Sequence, residues 1–242
     1  MFSGLFSYLY VIFICLDSLL LFIIALFIWL VTLPFDRKKI ILQQYTCFWG
    51  SLHLWLIPAW RLKVIGRENI DRKKKYMIVS NHQSQLDILV NFNLFAHYKI
   101  VSKKEIFNLP FIGWNMTLNN YIKLKRGDKK SIQKMIQDCE KSIDQGNSIL
   151  FYPEGSRSQD GQMKPFKLGA FAIAHKKKIP LLPIIIKGTK DALPKHSLKI
   201  KKNTNIILKV LKEIPYESFA HLSVEDTAKM TRDIMLKEFN SL

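Results

Sequence analysis

The first 35 residues constrain this chain more than any others. From Met1 to Phe35 the only charged side chain is Asp17, and SLLLFIIALFIWLVTLPF (Ser18–Phe35) is an uncharged run of eighteen residues. A helix needs about 20 apolar residues to cross the hydrocarbon core of a bilayer, so this segment is expected in a membrane. A cleaved secretory signal is the competing reading, but a basic start is missing and no small-residue cleavage site follows the run. The segment therefore reads as a retained anchor.

DRKK (Asp36–Lys39) follows at once, then a second uncharged stretch, Ile41–Trp60. It carries Trp49, Trp55 and Trp60 among Gln43, Gln44, Thr46, Ser51 and His53, which makes it weak as a second span. An interfacial position is expected, with the tryptophans at headgroup depth. Whether the first segment crosses or dips in and returns, both basic clusters fall on one side: Arg37–Lys39 and the seven Lys and Arg between Arg61 and Lys75. The excess of positive charge then assigns the rest of the chain to the cytoplasmic face.

All 37 Lys and Arg lie beyond residue 36, against 19 Asp and Glu in the whole chain, for a net charge of +18. Such a balance favours anionic partners: a membrane surface, phosphorylated substrates or nucleic acid. Nucleic acid is disfavoured, because the basic residues are dispersed, no recognition motif is present and a membrane anchor is a poor companion. Cys15, Cys47 and Cys139 are odd in number and far apart, so neither a zinc site nor a disulfide framework is expected. His53, His97, His175 and His196 show no metal-ligand spacing.

After Leu62 short β-like runs alternate with amphipathic stretches: YMIVS (76–80), YKIVS (98–102), YIKLK (121–125), SILFY (148–152), IPLLPIII (179–186) and NIILKVL (205–211). That alternation predicts an α/β fold, a mostly parallel mixed sheet flanked by helices. Helices are expected over Asp128–Gln145, with Ile132, Ile136, Cys139 and Ile143 on the apolar face, over 166–178 and over Ser223–Phe239. With no long linker, residues 1–62 read as membrane anchor and interfacial helix and 63–242 as one α/β domain.

Two polar knots interrupt the pattern. NHQSQLD (Asn81–Asp87) places His82 and Asp87 five residues apart, which a continuous helix would set about 140° apart. If the helix instead starts at Ser84, His82 lies in the preceding turn and Asp87 can fold back to hold its imidazole, the arrangement of a general base. Ser84-x-x-Asp87 is equally a capping box. YPEGSRSQDG (Tyr152–Gly161) follows an apolar run; Gly155 permits close backbone approach, and Ser156, Ser158 and Arg157 suit a phosphate. A solvated turn with one arginine explains the same residues. Arg126 ends YIKLKR, at the strand end where ligand sites of α/β sheets gather.

Together these blocks resemble the glycerolipid acyltransferase family typified by the 1-acyl-sn-glycerol-3-phosphate acyltransferases. NHQSQLD has the form NHxSxxD, YPEGSRS is close to FPEGTRS, and FKLGAF and IPLLPIII follow in order, so the resemblance covers about residues 63–190. One block departs: the family's second motif resembles GxxFIxR, whereas NYIKLKR has Asn120 at the glycine and Lys123 where an aromatic residue is common.

The resemblance implies acyl transfer from acyl-CoA or acyl carrier protein to lysophosphatidic acid, with no metal or other cofactor. His82 would be the base, Asp87 its orienting partner, and Arg126, Glu154, Gly155, Ser156, Arg157 and Lys167 would bind the acceptor, with Lys164 adding charge. Backbone N–H groups near Pro180–Pro183 or at Ser84 are candidates to stabilise the oxyanion. Other readings stay open: another lysophospholipid as acceptor, Ser84 as an acylated nucleophile, or an inactive lipid-binding relative.

Overall fold

The computed structural model describes residues 4–158, 161–193 and 203–242; His196 and the side chain of Cys15 lie outside the described residues. Helix α1 (Gly4–Thr32) and helix α2 (Ile40–Trp55) form an antiparallel pair. Its turn is closed by Asp36, whose two carboxylate oxygens accept the free N–H groups of Ile40 and Ile41, each at 2.8 Å. The pair is pinned along its length: the Tyr45 hydroxyl donates to the Leu21 carbonyl at 2.9 Å, and His53 lies 3.6 Å from Asp17. Residues Ile12–Thr32 are long and apolar enough to cross a membrane, and most of that stretch is exposed, with Leu20, Phe27 and Leu30 all outward.

Helix α2 is buried on one side and exposes Ile40, Ile41, Phe48 and Trp55 on the other. Its buried side divides: Cys47 and Leu54 join the core against the sheet, whereas Leu42 and Trp49 pack with Leu21 and Ala25 of α1. Of the three tryptophans expected at headgroup depth only Trp55 is exposed; the Trp49 indole donates to His53, and Trp60 is buried in the sheet. The scattered polar residues supply the reason. Thr46 accepts bonds from Asn115 and Asn119, and Gln43 from Tyr121, so this is a core-facing polar network.

The sheet has seven strands: β1 (Trp60–Ile65), β2 (Met77–Ser80), β3 (Tyr98–Lys103), β4 (Ile122–Leu124), β5 (Ser148–Phe151), β6 (Leu181–Lys187) and β7 (Thr204–Val210). Their order is β1-β7-β6-β2-β5-β3-β4. All neighbours are parallel except β6 and β7, so β1 and β7 run against the other five. Strands β2 and β5 are buried at every position, which is why their sequences read as apolar runs without alternation. Strand β1 begins inside the stretch read from sequence as anchor. Trp60–Leu62 pair with Thr204–Ile206, so the sheet starts three residues before the expected boundary.

One face of the sheet is covered by α2 and α3 (Leu86–Phe92), with Leu54, Val90 and Phe92 in the core. The other is covered by α5 (Lys129–Asp144), α6 (Gly169–Lys177) and α8 (Val224–Ser241), which contribute Met135, Cys139, Phe171 and Met235. The short helices α4 (Ile112–Leu118) and α7 (Thr189–Ala192) and three 3-10 turns complete the described elements. Asp128 caps α5 by accepting from Ser131 N–H, and Gly146 follows its end at φ +89°. The buried face of α5 includes Cys139 and Ile143 as expected, with Ile136 partly buried against the same core; Met135 and Ser142 join it and Ile132 is exposed.

Candidate active site

The polar knots meet at the carboxyl ends of the parallel strands. Strand β2 delivers Asn81–Asp87, β5 delivers Tyr152–Ser158, β4 delivers Arg126 and β6 delivers Thr189. Asn81 extends the ladder through its side chain: its amide donates to the Ile186 carbonyl and accepts from Ile186 N–H, each at 2.8 Å. That fixes where the chain leaves the sheet before His82.

His82 Nδ1 lies 2.8 Å from Asp87 Oδ2, with the histidine side chain 12% exposed and the aspartate 0%. The same Oδ2 accepts backbone N–H bonds from Gln83 at 2.6 Å and Ser84 at 2.8 Å. Oδ1 accepts the Thr189 hydroxyl at 2.5 Å. A buried carboxylate is costly unless its lone pairs are filled, and here four donors converge on it. Because every other partner donates, Nδ1 carries the proton and Nε2 the lone pair. No hydrogen-bond partner for Nε2 occurs among the described residues. The imidazole stacks on Tyr152, centroids 4.4 Å apart, and Asn91 donates to the Tyr152 hydroxyl at 2.8 Å.

The His82–Asp87 contact and one half of the capping box share one turn. Asp87 reaches back to Ser84 N–H as the acidic half of a capping box, while the Ser84 hydroxyl takes Leu86 N–H at 3.3 Å. The regular helix starts at Leu86, two residues later than Ser84. The Ser84 hydroxyl donates to the Leu193 carbonyl at 2.8 Å and is fully buried, so its proton is not directed at His82.

Glu154 ties the two knots together. Oε1 accepts His82 N–H at 2.7 Å and Oε2 accepts Lys164 N–H at 3.1 Å. Burial raises its pKa from the usual carboxylate value, and those backbone bonds oppose the rise. Ser158 N–H closes the junction onto the His82 carbonyl at 2.9 Å. Gly155 stands at φ +69°, with the Lys167 side chain against the space where a Cβ would be. The Lys164 ammonium bonds the Ser156 hydroxyl at 3.1 Å and the Arg157 carbonyl at 2.9 Å. Burial and then the charge of Arg157 lower the Arg126 pKa, against an opposing pull from Glu105. Two cations held in repulsion make a place for an anion.

The proposed oxyanion donors are corrected by the geometry. Leu181 N–H is spent on the Ile214 carbonyl at the opposite end of β6, and Ser84 N–H is spent on Asp87. The departures in the second block also acquire a reason. Asn120 sits at φ +56°, a left-handed conformation that asparagine tolerates better than other side chains with a Cβ, and Lys123 lies over the Phe107 ring at 5.0 Å. Thr189, Asn81 and the stacking of Tyr152 were invisible as functional contacts in the sequence. The only signal for Thr189 was a hydroxyl directly after Gly188 at a strand's end.

A model of the family described as Acyltransferase matches residues 61–187, more than half of the chain and all of these residues but Thr189. The chain belongs to the acyltransferase family. Among curated members, it is 35% identical over 205 residues to a chloroplastic 1-acyl-sn-glycerol-3-phosphate acyltransferase of Brassica napus, covering 84% of this chain and 59% of that protein. A 1-acyl-sn-glycerol-3-phosphate acyltransferase of Saccharomyces cerevisiae is 31% identical over 195 residues, covering 78% and 63%. The chain thus spans about three fifths of the length of these acyltransferase relatives. The fold matches the crystal structure of the 1-acyl-sn-glycerophosphate acyltransferase of Thermotoga maritima with a TM-score of 0.80, at 23% identity, covering 98% of this chain and 95% of that one.

Proposed function

We propose that the chain transfers a fatty acyl group from a thioester, acyl-CoA or acyl carrier protein, to the free hydroxyl of 1-acyl-glycerol 3-phosphate at a membrane. The observation that carries this is the His82–Asp87 pair, with Nδ1 engaged by the carboxylate and Nε2 without a partner among the described residues. His82 Nε2 takes the proton of the acceptor hydroxyl, and the oxygen attacks the thioester carbonyl. The tetrahedral intermediate collapses with cleavage of the C–S bond, and His82 returns the proton to the leaving thiolate. Asp87 holds the tautomer and stabilises the imidazolium.

Arg126 and Arg157 bind the acceptor phosphate, with Gly155, Ser156, Lys164 and Lys167 shaping the cradle. The backbone N–H groups of Ser156 and Arg157, which bond no acceptor among the described residues, add donors to it. Glu154, with both oxygens on backbone N–H groups, holds His82 and the cradle in register. The altered Lys123 favours testing a second acceptor class, lysophospholipids with a larger headgroup. The cytoplasmic face is assigned by the basic residues that flank the anchor.

The test is a panel of lysophosphatidic acid and other lysophospholipids offered with acyl-CoA or acyl carrier protein to the protein in detergent, with thiol release as readout. Arg157→Ala is expected to raise the acceptor KM on the order of tenfold to a hundredfold, the loss of one charge-assisted bond pair. Unchanged acceptor KM would remove the phosphate cradle; no thiol release with any pair would remove the activity.

A further inference from the structure

The run DRKK occurs twice, at Asp36–Lys39 and Asp71–Lys74, and the fold brings both copies to one cavity of about 310 Å³. The cavity is lined by Lys38 from the first copy, by Arg72, Lys73 and Lys74 from the second, and by Tyr76 and His97 at its floor. It lies at the amino ends of β2, β3 and β5. Six residues of extended chain separate Tyr76 from His82, roughly 20 Å, so this is not the site at the carboxyl ends.

Among the described residues neither acidic residue forms an ion pair with the cations of its own copy. Asp36 spends both oxygens on Ile40 and Ile41 N–H, and Asp71, the one acidic side chain lining the cavity, accepts Lys73 N–H at 2.8 Å. Lys74 is paired with Glu213 at 2.6 Å. Among the described residues Lys38, Arg72 and Lys73 have no carboxylate partner. The Lys38 ammonium is seated against Gly146, just past the end of α5. Behind the cavity Lys99 donates to the Lys38 carbonyl at 2.8 Å, which fixes the α1–α2 turn to the start of β3.

The surroundings identify the source of the anion. The turn that contributes Lys38 follows the exposed apolar helix α1 directly and itself exposes Leu33, Phe35, Ile40 and Ile41, of which Ile40 lines the cavity. Three free cations next to an apolar strip form the pattern that meets phosphate at a bilayer surface. We propose that this cavity binds the phosphate of an anionic lipid headgroup, a second lipid site remote from His82 that seats the enzyme on anionic membrane.

The experiment compares full-length wild type with a Lys38→Ala/Arg72→Ala/Lys73→Ala variant. A control, Lys129→Ala/Lys130→Ala/Lys134→Ala on α5, removes the same charge elsewhere. Partition onto phosphatidylcholine vesicles with and without phosphatidylglycerol is measured by flotation. The cavity variant is expected to lose the anionic preference on the order of a hundredfold, at about 1 kcal/mol per basic side chain, and the control far less. Equal losses in both variants, or no loss in the cavity variant, would overturn the site. Thermal stability in uncharged detergent separates the sources. Protection by short-chain phosphatidylglycerol, lost in the cavity variant, supports a lipid; equal protection by inorganic phosphate at matched ionic strength overturns it. Acyl transfer in uncharged detergent is expected to be unchanged in the cavity variant, and its absence in wild type would count only against the proposed activity.

Discussion

Asp87 receives its four donors from very different distances along the chain. His82, Gln83 and Ser84 reach it within one turn, whereas Thr189 is 102 residues away. A hydrogen bond to a charged group contributes about 1.5–3 kcal/mol, so Thr189→Val is expected to lower kcat roughly tenfold to a hundredfold while leaving the acceptor KM nearly unchanged. Thr189→Ser should restore most of the rate. Equal KM and kcat effects, or no rescue by serine, would make Thr189 a packing residue instead. The same contrast explains what could be read in advance. The His82–Asp87 encounter is local and follows from spacing once the helix start is placed, while the threonine that completes it is the first residue of α7, just past β6, and nothing in a linear sequence pairs the two. Asn120 was legible as a departure but not as a solution, because a positive φ is a property of the backbone and not of the residue alone.

At the scale of elements, the strands that were easiest to anticipate are those covered on both faces, β2, β5 and β6, whose apolar runs leave few alternatives. Strand β1 escaped because it continues a tryptophan-rich stretch after α2 and is only partly covered. Strand β3 carries an internal anomaly: Lys99 is buried, and burial, outweighing the attraction of Asp36, lowers its pKa from 10.5 to about 7. Between those values the unfolded chain holds a proton that the folded chain has released. Stability therefore rises with pH across that window, and is least where the buried ammonium must stay charged, below about 7. The thermal midpoint in detergent, followed from neutral pH to pH 10, is expected to climb in wild type by more than in Lys99→Met, which has no proton to lose. Parallel profiles would show that Lys99 ionises in the fold as it does in water.

The whole molecule is a seven-stranded sheet whose helical hairpin borders both ends. The α1–α2 turn is tied to the start of β3, and the far end of α2 leads into β1 at the opposite end. One apolar surface can thus hold both the catalytic end and the basic cavity against a bilayer. Phe27 is 65% exposed on that surface; Phe27→Asp should reduce partition onto phosphatidylcholine vesicles while acyl transfer to a detergent-dissolved acceptor persists, and unaltered partition would move the membrane contact elsewhere. The anchor and the four motif blocks were readable because each is contiguous, whereas the depth at which α2 enters the core depends on partners such as Asn115 and Asn119 far along the chain. The central claim is that His82, held by Asp87, is the base for acyl transfer. It is tested most directly by thiol release from acyl-CoA with lysophosphatidic acid, comparing wild type with a folded His82→Ala variant. The account predicts a loss of about 10²–10⁴ in kcat; release at the wild-type rate would contradict it.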